Sequence, residues 1–294
     1  MPRPLSKRTL DINTLDHLSH RLGFPVDELQ KVASHVEDLY TFQEKLKKSG
    51  GVRIISNPRH RLKRIQKSIH NLLREVALSK SAHGGVKGKS NITNARPHCK
   101  QQCLLDLDLK TFFPSISHYK VYELFHRKLK CAPPVARLLT ALTTVNGQVP
   151  QGAPTSTDLA NLVMRDTDER LERLSSKFNI NYTRCVDDMS FSGIVIPITF
   201  ISEAKKIISQ SGFTLNPDKE CIRKMGEAKH VTGLSVNRTM PNVPRKKRRQ
   251  VRGEAHIFEK FEKEKLGESA RAKREQQIRG KLAYINYVNS PGKR

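Results

Sequence analysis

Between residues 60 and 76 the apolar positions Leu62, Ile65, Ile69, Leu72, Leu73 and Val76 recur every three or four residues, with Arg and Lys between them. That spacing predicts an amphipathic helix with a basic outer face. Just before it, a run from Leu39 to Leu46, a Ser49-Gly50-Gly51 turn and Arg53-Ile54-Ile55, stopped by Pro58, predict a β-hairpin over 39–58. Residues 1–38 read as small helices, one of them opening at Pro25-Val26-Asp27-Glu28, with proline early and acids in the first turn. A polar, glycine-bearing loop follows at 83–88. Cys103-Leu104-Leu105-Asp106-Leu107-Asp108-Leu109 has the continuous apolar character of a buried strand, yet carries two acids. Two helices over 118–145 are divided by Pro133-Pro134, and a long helix over 157–177 follows the Pro150-Gln151-Gly152-Ala153-Pro154 bend. Asn181 to Gly193 predicts a second hairpin, with Asp187-Asp188 at its tip. A helix at 199–211, short strands to about 237 and a mostly helical segment over 244–289 complete the chain. Strands and helices interleave without a regular βαβ period, which predicts an α+β fold.

Charge changes the picture more than composition does. Lys and Arg total 54 against 28 Asp and Glu in 294 residues, a formal charge of +26. So large an excess predicts a polyanionic partner, bound through phosphate neutralisation and counterion release. Arg245, Lys246, Lys247, Arg248 and Arg249 form its densest run. No apolar stretch has the length of a membrane span and no signal-peptide core is present, which points to a protein with no membrane association. The five cysteines, Cys99, Cys103, Cys131, Cys185 and Cys221, include no C-x-x-C pair and fit free thiols in a reducing cytoplasm rather than a zinc site.

The candidate chemistry lies in the acids. Two adjacent carboxylates share one face only if the chain turns between them, and holding them close is costly unless a cation neutralises them. Oxygen ligands at neutral pH suit Mg²⁺. Asp108, at the end of an apolar strand, supplies a third carboxylate to a site for two such ions, of the kind used in phosphoryl transfer. Asp106 shares a strand face with Asp108 but is read as a strand-end salt bridge. The Gln151-Gly152 bend allows close approach of backbone to a base pair or sugar.

In this order the pieces resemble the reverse transcriptases, more narrowly the bacterial retron type. Asp108-Leu109-Lys110-Thr111-Phe112-Phe113 resembles the first acid motif of that family, Gln151-Gly152 its template- and nucleotide-contacting turn, and Asp187-Asp188 its acid pair. Gly212-Phe213-Thr214-Leu215-Asn216-Pro217-Asp218-Lys219 resembles the segment that follows, and Arg53 the residue that holds the nucleotide triphosphate. Asn94-Ala95-Arg96-Pro97-His98 is similar to the retron N-A-x-x-H element and Val231-Thr232-Gly233 to its V-T-G element. Asn242-Val243-Pro244-Arg245-Lys246 and Gly280-Lys281-Leu282-Ala283-Tyr284 extend the likeness to the C-terminus. Cys185 stands where the family usually has an aromatic, most often Tyr, and cannot stack against a primer terminus.

The resemblance implies a right-hand polymerase. Its parts would be an N-terminal helical extension (1–38), fingers and palm with an antiparallel sheet (39–240) and a basic thumb (241–294), with one basic helix over 244–274 lying on the template–product duplex. It implies two Mg²⁺ ions held by Asp108, Asp187, Asp188 and the Leu109 carbonyl. It also implies a nucleotide site of Arg53, Phe113, Gln151, Gly152 and Lys219. RNA contacts would come from Asn94, His98, Val231, Thr232, Gly233 and Arg245 to Arg249. The implied partners are deoxynucleotides and a cognate structured noncoding RNA serving as template and primer, giving a branched RNA–DNA product. An antiphage effector would be a separate protein, since little chain remains beyond the thumb. Two other readings stand beside this one: a non-catalytic basic RNA-binding scaffold, supported by Cys185, and another small bacterial reverse transcriptase class.

Overall fold

The computed structural model describes residues 7–46 and 50–290. Ser49 of the expected turn, the first six residues of the N-terminal extension and the last four of the basic segment lie outside the described residues.

Two short helices open the chain, α1 (Leu15–Leu22) and α2 (Val26–Ser34). The Thr14 hydroxyl accepts from the His17 amide at the start of α1, and Gly23 closes it at φ 72°, a conformation glycine reaches without a Cβ clash. β1 (Tyr40–Leu46) and β2 (Val52–Pro58) pair antiparallel as the expected hairpin, with Gly50 and Gly51 both at positive φ. α3 (His60–Leu73) buries Leu62, Ile65, Ile69, Leu72 and Leu73, as its spacing dictates. Gln66 is buried with them, where its amide donates to the Tyr40 hydroxyl at 2.7 Å and the Leu142 carbonyl at 2.9 Å.

After α4 (Asn91–Ala95) comes β3 (Cys103–Asp108), then α5 (His118–Glu123), α6 (Pro133–Thr143) and the long α7 (Ser156–Lys177). β4 (Asn181–Cys185) and β5 (Asp188–Gly193) form the second hairpin, and α8 (Ile198–Gln210) returns the chain across the sheet to β6 (Cys221–Arg223). β3 pairs antiparallel with β5 on one side and β6 on the other, so the sheet order is β4-β5-β3-β6. α7 and α8 pack together, and the core runs from α1 through α3 and α6 to Met189 and Phe191 on β5. β7 (His230–Val231) and β8 (Leu234–Ser235) form a small ribbon, and with Ile92, Ala95, Leu104 and Val288 they build a second, smaller core.

The C-terminal segment departs from the expected single helix over 244–274. It forms α9 (Arg245–Ile257), a wider turn to Glu262, and α10 (Glu268–Asn289), which starts at Gly267. Ion pairs Lys281–Glu254 at 2.6 Å and Arg274–Glu262 at 3.3 Å run in opposite sequence directions, so the helices lie antiparallel. Among the described residues no helix is long and apolar enough to cross a membrane.

The N-A-x-x-H and V-T-G elements also differ from expectation. Asn94, His98 and Val231 are almost wholly enclosed and do not present side chains to an RNA. The reason is packing: α4 sits against β4, β7 and β8, so these residues join the main sheet to the small ribbon. Asn94 reaches the Thr232 hydroxyl, which itself donates to the Asn91 carbonyl at 3.2 Å. Thr232 and Gly233, at φ 46° and 80°, remain partly open.

His98 bridges the two strands of the acidic hairpin. Its Nδ1 lies 2.7 Å from the Ser192 hydroxyl on β5 and its Nε2 lies 2.8 Å from the Thr183 hydroxyl on β4. The Thr183 hydroxyl donates to the Asn94 carbonyl, so Nε2–H donates to Thr183 and Nδ1 accepts from Ser192: the neutral ring satisfies both ends. Burial, then the His83 charge, pushes the His98 pKa down to about 3. The unfolded chain therefore binds more protons than the folded one between about pH 6.5 and 3, and stability present above that window is lost as pH falls through it. Lowering the pH from 7 to 5 is expected to cost about 2 kcal/mol through His98 alone. In denaturant titrations at the two pH values, His98→Gln should be less stable at pH 7 but lose less on acidification. An unchanged pH dependence in that variant would remove His98 from the account.

Candidate active site

The site is assembled where β3 and β5 end together. Asp108 and Asp188 are facing partners in the antiparallel register, so both carboxylates project from the same end of the sheet. Buried Leu107–Met189 and Leu105–Phe191 pairs behind them fix that register. Asp187 sits beside them in the turn Val186-Asp187, which joins Cys185 to Asp188. Val186 has φ 62°, as a two-residue hairpin turn requires at its first position. For a β-branched residue this conformation costs about 1–2 kcal/mol. The Asp187 carbonyl accepts from the Leu109 amide at 3.2 Å, tying the turn to the end of β3.

Crowding sets the electrostatics. Burial, then the Asp187 charge and the shared hydrogen bond with Asp108, pushes the Asp188 carboxyl up to about 7. Burial and the Asp108 charge raise Asp187 too, against the opposing charges of Lys219 and Arg53. Asp108 is enclosed and is met by the Lys219 ammonium at 2.8 Å, with the Asn216 amide at 3.4 Å from its other oxygen. The hydrogen bond to Asp108 raises the Lys219 pKa. Main-chain bonds from Asn216 to the Asp108 carbonyl (2.8 Å) and from Lys110 to the Thr214 carbonyl (2.8 Å) strap this segment alongside the end of β3.

Among the described residues no three His, Cys, Asp or Glu side chains form a ready-made metal cage. The donor set nevertheless fits divalent cations. Burial and the neighbouring carboxylate charges raise the proton affinity of Asp187 and Asp188, Asp108 already attracts an ammonium, and the Leu109 carbonyl accepts no hydrogen bond among the described residues. A hard dication relieves that repulsion with oxygen ligands alone. Asp106 is separate: it forms an ion pair with Arg223 and accepts from the Ser190 hydroxyl at 3.0 Å, the salt bridge expected of it.

The expected nucleotide-site residues lie on separate elements. Arg53 is on β2 of the first hairpin, close enough to Asp187 to act on its charge. The Gln151 carbonyl accepts from the Ser56 amide at 2.8 Å, and Gly152 has φ 120°. A Cβ at Gly152 would come within 3.0 Å of Ile55, so only glycine lets the bend lie against β2. Phe112 is buried against Phe213, while Phe113, its ring 5.6 Å from that of Phe112, stays half-buried. Cys185 is half-buried, and burial together with the Asp188 and Asp187 charges pushes its thiol pKa up, keeping it protonated. Arg245, Lys246, Lys247 and Arg249 are exposed at the start of α9, and Arg248 is half-buried.

Beneath the hairpin tip lies a group the sequence reading did not single out. Arg184 and Asp168 are both wholly buried and pair at 2.6 Å, with Tyr182 and Asn161 around them. The available signal was Arg184 two residues after Tyr182, on the same face of a strand of which Tyr182, Thr183 and Arg184 are buried.

A family model described as Reverse transcriptase (RNA-dependent DNA polymerase) matches residues 45–243. The chain is 33% identical over 304 residues to the retron Mx65 reverse transcriptase of Myxococcus xanthus, covering 94% of this chain and 68% of that protein. It is 30% identical over 293 residues to the retron Ec86 reverse transcriptase of Escherichia coli, covering 96% and 87%. Among solved structures, a telomerase from Candida albicans aligns with a TM-score of 0.48 at 12% identity, covering 74% of this chain and 49% of that one. The family match takes in well over half of the residues, and the two curated relatives match nearly all of them; the chain belongs to the reverse transcriptase (RNA-dependent DNA polymerase) family and, within it, to the retron reverse transcriptases.

Proposed function

We propose that this RNA-directed DNA polymerase copies part of a cognate structured noncoding RNA into single-stranded DNA. The observation that carries the reading is the convergence of Asp108, Asp187 and Asp188 at one sheet end, with Lys219 in contact and Arg53 within electrostatic reach. In it, residues 39–240 act as fingers and palm, 241–294 as the thumb, and 1–38 as an N-terminal extension.

Asp108, Asp187, Asp188 and the Leu109 carbonyl would hold two Mg²⁺ ions, which supply charge neutralisation and a more acidic primer hydroxyl when bound. The protein's own groups do the positioning. The guanidinium of Arg53 offers a fork of donors suited to the triphosphate. Lys219, half-exposed on a flexible stem, leaves Asp108 to hand a proton to the departing pyrophosphate. Phe113 stands against the sugar 2′ position and excludes ribonucleotides by its bulk, and the Gln151-Gly152 backbone borders the base pair. Most of the rate then comes from alignment and preorganised charge.

The exposed face of Arg245, Lys246, Lys247 and Arg249 grips RNA or hybrid backbone by charge, without reading bases. Likeness to retron enzymes supports priming from a 2′-hydroxyl of the RNA, a branched RNA–DNA product and an antiphage role with a separate effector. Five free thiols suit a bacterial cytoplasm.

Asp187→Asn combined with Asp188→Asn is expected to lower DNA synthesis on the cognate RNA by about 100- to 1000-fold or more, with RNA binding retained in a filter assay. Synthesis at the unmodified rate would remove the catalytic assignment. Replacing Arg245, Lys246, Lys247 and Arg249 with Gln should weaken RNA binding for all sequences alike. It should also flatten the plot of log affinity against log salt by about 3, given roughly 0.7–0.9 per lost phosphate contact. A slope equal to that of the unmodified protein would place the RNA elsewhere.

A further inference from the structure

The tip of the acidic hairpin is held from beneath by a buried cation. Arg184 is fully enclosed on β4. Its Nε and Nη2 donate to the two Asp168 oxygens at 2.8 and 2.6 Å, and Asp168 also accepts from the Tyr182 hydroxyl at 2.7 Å. The remaining nitrogen, Nη1, donates to the Val186 carbonyl at 2.7 Å and to Asn161 Oδ1 at 3.1 Å. Asp168 and Asn161 are both on α7, so one rigid helix fixes the guanidinium and the guanidinium fixes the turn.

The same turn is walled from the other side. Arg184 exchanges main-chain bonds with Ser81 and His83 at 2.8 Å each, and the Asn161 amide donates to the Gly84 carbonyl at 2.9 Å. A Cβ at Gly84 would lie 2.5 Å from Val186 Cγ2 and 2.6 Å from its amide nitrogen, so this loop lies directly on the turn.

We propose that Arg184 is a positioning residue for Asp187, a role that rests on the polymerase reading of the acids. The argument concerns two peptide planes. Arg184 pins the carbonyl of the peptide that enters Asp187, and the Leu109 amide pins the carbonyl of the one that leaves it. With both planes fixed, the direction in which the Asp187 Cα–Cβ bond leaves the turn is fixed too, although Val186 occupies a backbone conformation a β-branched residue avoids. An apolar side chain could fill the same volume without needing a buried partner, but it could not hold that carbonyl. A lysine keeps the charge yet lacks the planar fork that serves Asp168 and Val186 together.

The test uses the full chain and Mn²⁺ as the probe, with free Mn²⁺ counted by electron paramagnetic resonance in the absence of substrates. Steady-state synthesis is measured alongside. Arg184→Lys is expected to weaken Mn²⁺ binding about 10-fold and to lower kcat by up to about 100-fold, the scale of a small misplacement of reacting groups. The KM for deoxynucleotide should change less than about 2-fold, because Arg53 and the Gln151-Gly152 bend are untouched. Leu29→Ala, a core change in α2 far from the hairpin, serves as the control: it should lower the melting temperature without moving Mn²⁺ affinity. Should Arg184→Lys not fold, Asn161→Ala leaves the Asp168 ion pair intact and should show the same signature at about a tenth of the effect on kcat. A folded variant whose Mn²⁺ affinity and kcat match the Leu29→Ala control overturns the proposal. The failure of the underlying reading looks different: unmodified protein that binds no Mn²⁺, or full synthesis by the Asp187→Asn, Asp188→Asn variant.

Discussion

The site depends on one register, Asp108 facing Asp188 across β3 and β5. A slip of one residue would send one of the two carboxylates to the opposite face of the sheet. Like charges directly across a ladder destabilise it, so something else must hold the strands in place. The apolar pairs Leu107–Met189 and Leu105–Phe191 do so from the buried side, and the Asn216 strap does so at the end. The repulsion is therefore stored at the mouth of a sheet whose register was decided deeper in the core, and it leaves an appetite for positive charge there.

Buried polar groups carry the next level of order. His98 joins β4 to β5 through Thr183 and Ser192, and Arg184 joins β4 to α7 through Asp168. Each is satisfied by partners of fixed geometry, and such networks cost much when broken because the alternative is an unpaired group in a poor solvent. They set the hairpin's two strands against each other and against the helix behind them, which apolar packing alone does with less angular precision.

Much of the fold was legible in the sequence, because helices and hairpins were marked by apolar spacing and by Gly and Pro punctuation. Leu62 to Leu73, Pro133-Pro134 and the Asn181–Gly193 hairpin appear where the pattern put them. The acids were legible for a related reason: a carboxylate in an apolar strand is a local contradiction, and Asp108 and Asp106 resolve it differently, one in the cluster and one with Arg223. What could not be read was partnership across long separations. The likeness of N-A-R-P-H to the retron element pointed Asn94 and His98 toward RNA, yet their neighbours Thr183, Ser192 and Thr232 lie 85 or more residues away. Arg184 was hidden in the same way, since its value depends on Asp168 from another element. The break between α9 and α10 was obscured because a charged run of uniform helix propensity carries few stop signals beyond Gly267.

The first hairpin is anchored to the body beyond Tyr40 and Pro58 by the hydrogen bond from Ser56 to Gln151 and by the close seat of Gly152 on Ile55. Its outer half carries exposed Phe42, Leu46, Val52 and Ile54 among the described residues. Such a ribbon behaves as a lever with its fulcrum at that seat. Any tilt of the ribbon swings Arg53 through an arc while the bend beneath it rocks by a small amount, so Arg53 and the Gln151-Gly152 bend, the two sides of the proposed nucleotide site, would move as one mechanical unit rather than as two independent contacts.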